Sequence, residues 1–240
     1  MYAGTSTGAL IALALAKGLT PNEIMSFYVN KGPIIFSRSF IHKIVSGDAY
    51  LGAKYDSDNR LKVFIDLMGA NTKLSDLKKD VVIASFDICD FSEDVPDYEK
   101  NWKAKIFHNI PTQEYPVTHM HSDDGDELAY MVAMRTSAAP TYFSSYQGFV
   151  DGGVFANNPC MCAIAQALDS RLLKHHSLDS INMLSVGTGF FPNHIPKDES
   201  WGEIAWAPHF VDLLMDGVNE VSSFEAAITR SALLCALILK

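Results

Sequence analysis

The sequence predicts a single α/β domain. Stretches with helical apolar spacing alternate with short apolar stretches typical of strands, which is the pattern of a sheet covered by helices. The chain has 240 residues, of which 48% are hydrophobic and 20% are charged. That composition argues against intrinsic disorder and allows a sizeable buried core. No linker divides the chain, so we assign residues 1–240 to one domain.

The first helices are predicted from apolar runs and capping residues. Ala9–Lys17 is apolar on every side and stops at Gly18, which predicts a buried helix with a glycine C-terminal stop. Thr20–Glu23 has the capping-box pattern, with proline at the first helical position, and opens a second helix. A third helix is predicted from one apolar face with i, i+3, i+4, i+7 spacing: Leu61, Phe64, Ile65 and Met68.

Strands and helices alternate along the rest of the chain. The predicted strands are Val81–Asp87, Trp102–Phe107 and a buried Ile181–Val186. The predicted helices are Leu128–Arg135, a helix capped by Asn158 that runs to about Leu168, and most of Val211–Leu239. The predicted loops are Ser37–Tyr55, Pro111–Glu127 and Phe190–Pro208.

Charge and cysteine content exclude several function classes. Lys and Arg number 19 against 28 Asp and Glu, and the resulting net charge of −9 argues against a nucleic-acid binder. The cysteines match no zinc pattern. We interpret the loop with His119, His121, Asp123 and Asp124 as a solvated acidic loop, so no metal or other cofactor is predicted. The sequence shows no signal-peptide pattern, which favours a cytoplasmic location and leaves peripheral membrane contact open.

The strongest motif is Gly4-Thr5-Ser6-Thr7-Gly8, which has the form G-x-S-x-G and runs directly into an apolar helix. A nucleophile elbow has this arrangement, with the serine on a sharp strand-to-helix turn. The flanking Gly4 and Gly8 allow close backbone approach. The Thr7 N–H could donate to an oxyanion at the helix N-terminus. A chance match in a Gly/Ser/Thr loop is the plainer interpretation of this motif taken alone.

A serine hydroxyl needs a base that accepts its proton. None of the eight histidines has the sequence context of a triad histidine. Asp151 is the best candidate, because it follows an apolar strand end and Gly152-Gly153 lets the backbone turn tightly behind it. An ordinary Asp-Gly turn is the commoner meaning of that dipeptide. The two motifs together are far more specific than either alone.

The sequence resembles the patatin-like phospholipase family in Gly4–Gly8 and Asp151–Gly153. Supporting stretches follow in the family's order: Thr136–Phe143, Ala156–Pro159 and Ser185–Gly189. The resemblance implies a three-layer α/β/α domain with a mainly parallel sheet and a Ser–Asp dyad that needs neither histidine nor metal. It implies that Ser6 forms an acyl-enzyme from phospholipids, galactolipids or other polar lipids at a membrane surface, and that Asp151 is the base.

The start of the chain departs from the family pattern. The family has a glycine-rich loop some tens of residues before the serine turn, and this loop supplies most of the oxyanion hole. No residue precedes Met1, so we expect the first strand and this loop to be missing and the sequence to be a fragment cut at both ends. Loss of one oxyanion donor costs about 2.7–4 kcal/mol of transition-state stabilisation, so this chain alone is expected to be a weak hydrolase.

Other functions stay open at this point. A Ser-His-Asp hydrolase would require a matched histidine, and an inactive patatin-fold protein would have a storage, scaffold or interaction role. A transacylase would use the same residues with an alcohol in place of water. The sequence gives neither the lipid head group nor the oligomeric state.

Overall fold

The computed structural model describes residues 1–35, 55, 57–90, 96, 99–112, 124–173, 175–189, 202–229 and 232–235. Its strands are β1 (Tyr2–Thr5), β2 (Val81–Asp87), β3 (Lys103–His108), β4 (Phe149–Asp151), β5 (Asn182–Ser185) and β6 (Ala232–Cys235). Its α-helices are α1 (Thr7–Lys17), α2 (Pro21–Ile35), α3 (Ser57–Met68), α4 (Ala129–Thr136), α5 (Gly153–Ala156), α6 (Cys160–Leu168) and α7 (Glu203–Ile228).

Strand β2 organises the main sheet. Its residues Val82–Asp87 pair antiparallel with β3 on one edge. On the other edge, β1 pairs in parallel with the first half of β2, and β4 pairs antiparallel with the second half. Thr5 lies opposite Ala84, and Asp151 lies opposite Ser85. This register brings the carboxyl end of β1 and the carboxyl end of β4 together beside neighbouring residues of β2.

Helices cover both faces of this sheet, as the α/β prediction requires. Val81 and Ile83 belong to a core cluster that they share with α1, α3 and α4. Val82 points to the opposite face, where Cys162 of α6 packs against the same small cluster. Successive residues of a strand point to opposite faces, so both faces of β2 are buried. Two of the described strand pairings are parallel and two are antiparallel.

Most helix predictions are confirmed. Helix α1 ends at Gly18, which has a left-handed φ of 107°. The predicted capping box forms at the start of α2: the Thr20 N–H donates to Glu23 Oε2 at 2.7 Å, and the Glu23 N–H donates to Thr20 Oγ1 at 3.3 Å. Pro159 is the N-cap of α6, and the predicted Asn158 lies one residue earlier, where its Oδ1 accepts the Cys160 N–H at 3.1 Å.

The C-terminal predictions need correction. The strand predicted as buried is β5, in which Leu184 is 68% exposed, because β5 pairs with β6 rather than with the main sheet. Helix α7 begins at Glu203, inside the predicted loop Phe190–Pro208, and ends at Ile228. The apolar residues that follow form β6, although Val211–Leu239 was predicted to be mostly helical. The predicted loop Ser37–Tyr55 lies outside the described residues except for Tyr55.

Candidate active site

Ser6 occupies a strained turn between β1 and α1. Its backbone has φ 54° and ψ −124°, a conformation that residues with a Cβ rarely adopt. A Cβ added to Gly4 would lie 2.4 Å from the Gly8 carbonyl oxygen and 2.5 Å from the Ala9 nitrogen. Gly4 is therefore required by close backbone packing, as predicted. A Cβ on Gly8 would meet nothing within 4 Å, so local space does not demand glycine there.

Asp151 ends β4 and is only 3% exposed. Its N–H donates to the Ala138 carbonyl at 3.0 Å, and its Oδ1 accepts the Gly153 N–H at 2.8 Å. A Cβ on Gly152 would lie 2.3 Å from the Ala84 carbonyl oxygen, so glycine allows the chain to turn tightly against β2. The backbone thus fixes the carboxyl group in a buried position.

The structure brings Ser6 and Asp151 together. The Ser6 hydroxyl interacts with the Asp151 carboxyl group and lowers its pKa. Burial raises the pKa of Asp151 to about 6, although the bonds from Ser6 and the Gly153 N–H and the charge of Arg60 oppose that rise. At neutral pH the carboxyl group is therefore mostly ionised, and it is a stronger base than an exposed aspartate. Within the described part of the chain, no histidine is among the groups that act on this pKa.

The hub segment, Thr136–Ala138 at the end of α4, contacts both members of this pair. Thr136 Oγ1 accepts the Ser6 N–H at 3.0 Å and donates to the Ala84 carbonyl of β2. The Ala138 carbonyl accepts the Asp151 N–H. The hub segment therefore fixes the position of one turn relative to the other. Sequence reasoning connected this stretch with the site only through the family resemblance and assigned Thr136 no role.

Comparison with known proteins identifies the family of this chain. The model of the patatin-like phospholipase family matches residues 1–164. The chain belongs to the patatin-like phospholipase family. CotR of Bacillus subtilis (strain 168) is 30% identical over 206 residues, which are 85% of this chain and 57% of CotR. Patatin-like protein 2 of Arabidopsis thaliana is 28% identical over 278 residues, covering 99% of this chain and 62% of that protein.

The protein teg of Priestia megaterium is a further relative, 29% identical over 206 residues, which are 85% of this chain and 58% of teg. The patatin-like chain thus spans less than two thirds of the length of these three relatives. Membership confirms the fold class that the sequence predicted. It supports lipid acyl hydrolysis at the level of the family.

Arg60 is a charged group near the site that sequence reasoning missed. It lies on α3 and is 1% exposed. Its Nη1 donates to the Ser137 carbonyl of the hub segment at 2.5 Å. Burial lowers the Arg60 pKa to about 10, so the guanidinium keeps its charge at neutral pH. Its spacing was a usable signal, since Arg60 precedes Phe64 by four residues on the buried face of α3.

The other predicted site residues have mixed outcomes. Thr7 is exposed at the first position of α1, where helix geometry leaves its N–H without an intrahelical acceptor. Asp124 is 8% exposed and pairs with Lys105 at 2.5 Å, so the prediction of a solvated loop is wrong for this residue. His119, His121 and Asp123 lie outside the described residues.

In the described part of the chain, no cluster of three or more His, Cys, Asp or Glu side chains is suited to a metal ion. None of the helices found there combines the length and the apolar character that a membrane span requires.

Proposed function

We propose that the protein is a serine acyl hydrolase that cleaves fatty-acyl esters of phospholipids or galactolipids through Ser6 and Asp151. The observation that carries the proposal is the interaction of the Ser6 hydroxyl, on a strained turn at the start of α1, with the buried Asp151 carboxyl group. The family supports the reaction class, and the shared order of motifs supports these two residues.

Acylation begins when the Ser6 oxygen attacks the ester carbonyl carbon and its proton passes to Asp151. The tetrahedral intermediate collapses, the ester C–O bond breaks, and the departing alcohol takes the proton from Asp151. The fatty acyl group is then bound to Ser6. Because Asp151 receives the proton directly, no histidine is needed between the serine and the carboxylate.

Deacylation repeats these steps with water. Asp151 accepts a proton from a water molecule, whose oxygen attacks the acyl carbon. Collapse of the second intermediate breaks the bond to Ser6, and Ser6 recovers its proton from Asp151. The free fatty acid leaves, and the pair returns to its starting state. The N–H of Thr7, at the positive end of α1, is placed to stabilise the oxyanion in both steps.

Substitution of each residue tests the proposal in the full-length protein. We expect Ser6→Ala and Asp151→Asn each to reduce hydrolysis of phosphatidylcholine and galactolipid vesicles by roughly 10³-fold or more. Ser177→Ala and Asp179→Asn are matched controls on exposed residues and should keep wild-type activity. Chelators should have no effect. Activity that survives either site substitution would reject this dyad.

A fluorophosphonate probe separates this function from the alternatives. Labelling that depends on Ser6 supports a nucleophilic serine. If the folded full-length protein is not labelled, an inactive patatin-fold protein with a storage, scaffold or interaction role is favoured instead. Analysis of acyl products in the presence of an added alcohol distinguishes a hydrolase from a transacylase.

A further inference from the structure

Arg60 is a buried cation with few hydrogen bonds. It lies on the inner face of α3, whose other buried residues are Val63, Phe64, Leu67 and Met68. Burying a guanidinium among such residues is costly unless nearby groups compensate for the lost hydration. Its Nε and Nη2 atoms are buried without a hydrogen-bond partner in the described part of the chain. The single bond to the Ser137 carbonyl therefore leaves most of the donors unused.

The compensation comes from electrostatics and from an aromatic ring. The guanidinium carbon lies 4.2 Å from the centre of the Phe143 ring, within the range of a cation–π interaction. Asp151 and Tyr146 both act on Arg60 electrostatically, and Asp151 has the larger effect. The charge on Arg60 therefore acts on the same carboxyl group that interacts with the Ser6 hydroxyl.

We propose that Arg60 is a positioning residue that keeps Asp151 ionised and ready to accept the Ser6 proton. The inference rests on the proposed function of the dyad and assigns a role to a third residue. Arg60 also reaches the backbone that carries this pair, because its Nη1 bonds to the carbonyl between Thr136 and Ala138. The side chain therefore acts on Asp151 through its charge and through the hub segment.

The sign of the effect follows from the groups around Asp151. Burial is the main cause that raises its pKa, while the Ser6 hydroxyl, the Gly153 N–H and Arg60 lower it. Removal of the Arg60 charge removes one of the effects that lower the Asp151 pKa. The pKa then rises, and the carboxyl group keeps its proton to higher pH. Tyr146, the other titratable group facing Arg60, has a pKa raised by burial and stays neutral over the same range.

The pH dependence of kcat/KM tests this role in the full-length protein. For Arg60→Met we expect the acid limb of the kcat/KM profile to move to higher pH by about one unit or more. An opposite charge nearby shifts the pKa of a carboxyl group by that order. Activity at pH 5 should then fall roughly tenfold more than activity at pH 9. Arg60→Lys keeps the charge, so its acid limb should lie close to the pH of the wild-type limb.

A control on the same helix separates charge from packing. Val63→Ala removes buried volume from α3 and should lower stability without moving the limb. If Arg60→Met lowers kcat/KM equally at every pH, Arg60 has only a structural role and the proposal is overturned. The same conclusion follows if Arg60→Lys moves the limb as far as Arg60→Met.

A double-mutant cycle in stability tests the coupling without any assay of activity. The free energy of unfolding is measured at pH 8 for Arg60→Met, Asp151→Asn and the double variant. We expect Arg60→Met to be less damaging in the Asp151→Asn background, because no buried carboxylate is then left uncompensated. If Arg60→Met alone fails to fold but the double variant folds, the coupling is shown. The proposal is overturned if Arg60→Met lowers the free energy of unfolding equally in the wild-type and Asp151→Asn backgrounds, or prevents folding in both. This conclusion holds whether or not Ser6 is the nucleophile.

Discussion

Ser6 and Asp151 lie on turns that differ in backbone strain and in burial. Ser6 is half-buried, and its backbone has a positive φ of 54°. Asp151 ends a paired strand, its backbone φ is not positive, and its side chain is 3% exposed. One partner thus carries a conformational cost and the other a desolvation cost. Each cost affects one property of the pair: the strained turn presents the hydroxyl, and burial makes the carboxylate more basic.

Both turns nevertheless depend on a glycine that approaches neighbouring backbone. Such contacts differ from contacts with a flexible side chain, because backbone atoms held in a helix or a sheet cannot move away cheaply. Substitution of either glycine should therefore lower stability more than substitution of the residue that carries the cost specific to each turn.

The largest expected effect is that of Gly4→Ala. The new Cβ would lie 2.4 Å from the Gly8 carbonyl oxygen in the first turn of α1. We expect a loss of about 3 kcal/mol in the free energy of unfolding, at the upper end for an overpacked site. Gly152→Ala should be similar, because its Cβ would lie 2.3 Å from the Ala84 carbonyl oxygen. Urea unfolding measures both losses.

Gly8→Ala is the matched control in the serine turn. Its Cβ meets nothing within 4 Å, and alanine is a better helix former than glycine. We expect stability to be unchanged or increased by about 0.5 kcal/mol. A loss as large as that of Gly4→Ala would mean that Gly8 contacts a part of the protein outside the described residues.

Asp151→Asn removes the desolvation cost of the aspartate turn. Burial raises the pKa of Asp151 from 3.8 to about 6, so ionisation of this group lowers stability as the pH rises from about 4 to about 6. Asp151→Asn carries no such cost and should be more stable than the wild type by roughly 2–3 kcal/mol at pH 8. The advantage should disappear near pH 4.

Urea unfolding across this pH range measures the difference, and Asp179→Asn, on an exposed residue, is the control. A variant less stable than the wild type at pH 8 would show that the bonds to the ionised carboxylate outweigh its desolvation. The loss of activity and the gain in stability together would identify Asp151 as a group kept for function.

Local motifs were sufficient to select Ser6 and Asp151 as candidates, because the glycines that each turn requires lie beside them in the sequence. The motifs gave no information on the contact between the turns, which depends on the register of β1 and β4 along β2. Arg60 was missed because its charge removed it from the apolar pattern, although its spacing from Phe64 placed it on the buried face of α3. The same assumption about charge made Asp124 seem solvated.

The C-terminal run was predicted as helix for a different reason. A short continuous apolar run has no periodicity that separates a helix from a strand, and its length is a weak guide. Ala232–Cys235 forms a strand by pairing with Asn182–Ser185, about fifty residues earlier in the chain. Such long-range pairing cannot be inferred from the run itself.

The smallest expected effect isolates the strain at the serine turn. Ser6→Gly and Ser6→Ala both remove the hydroxyl, but only glycine adopts φ 54° without a steric cost. Glycine normally lowers stability relative to alanine by about 0.5–1 kcal/mol. Here we expect the reverse, with the glycine variant more stable by about 1–2 kcal/mol as the strain is released. The ordinary order, with alanine more stable in urea unfolding, would mean that this turn stores no strain, and the positive φ would then not explain how the hydroxyl is presented.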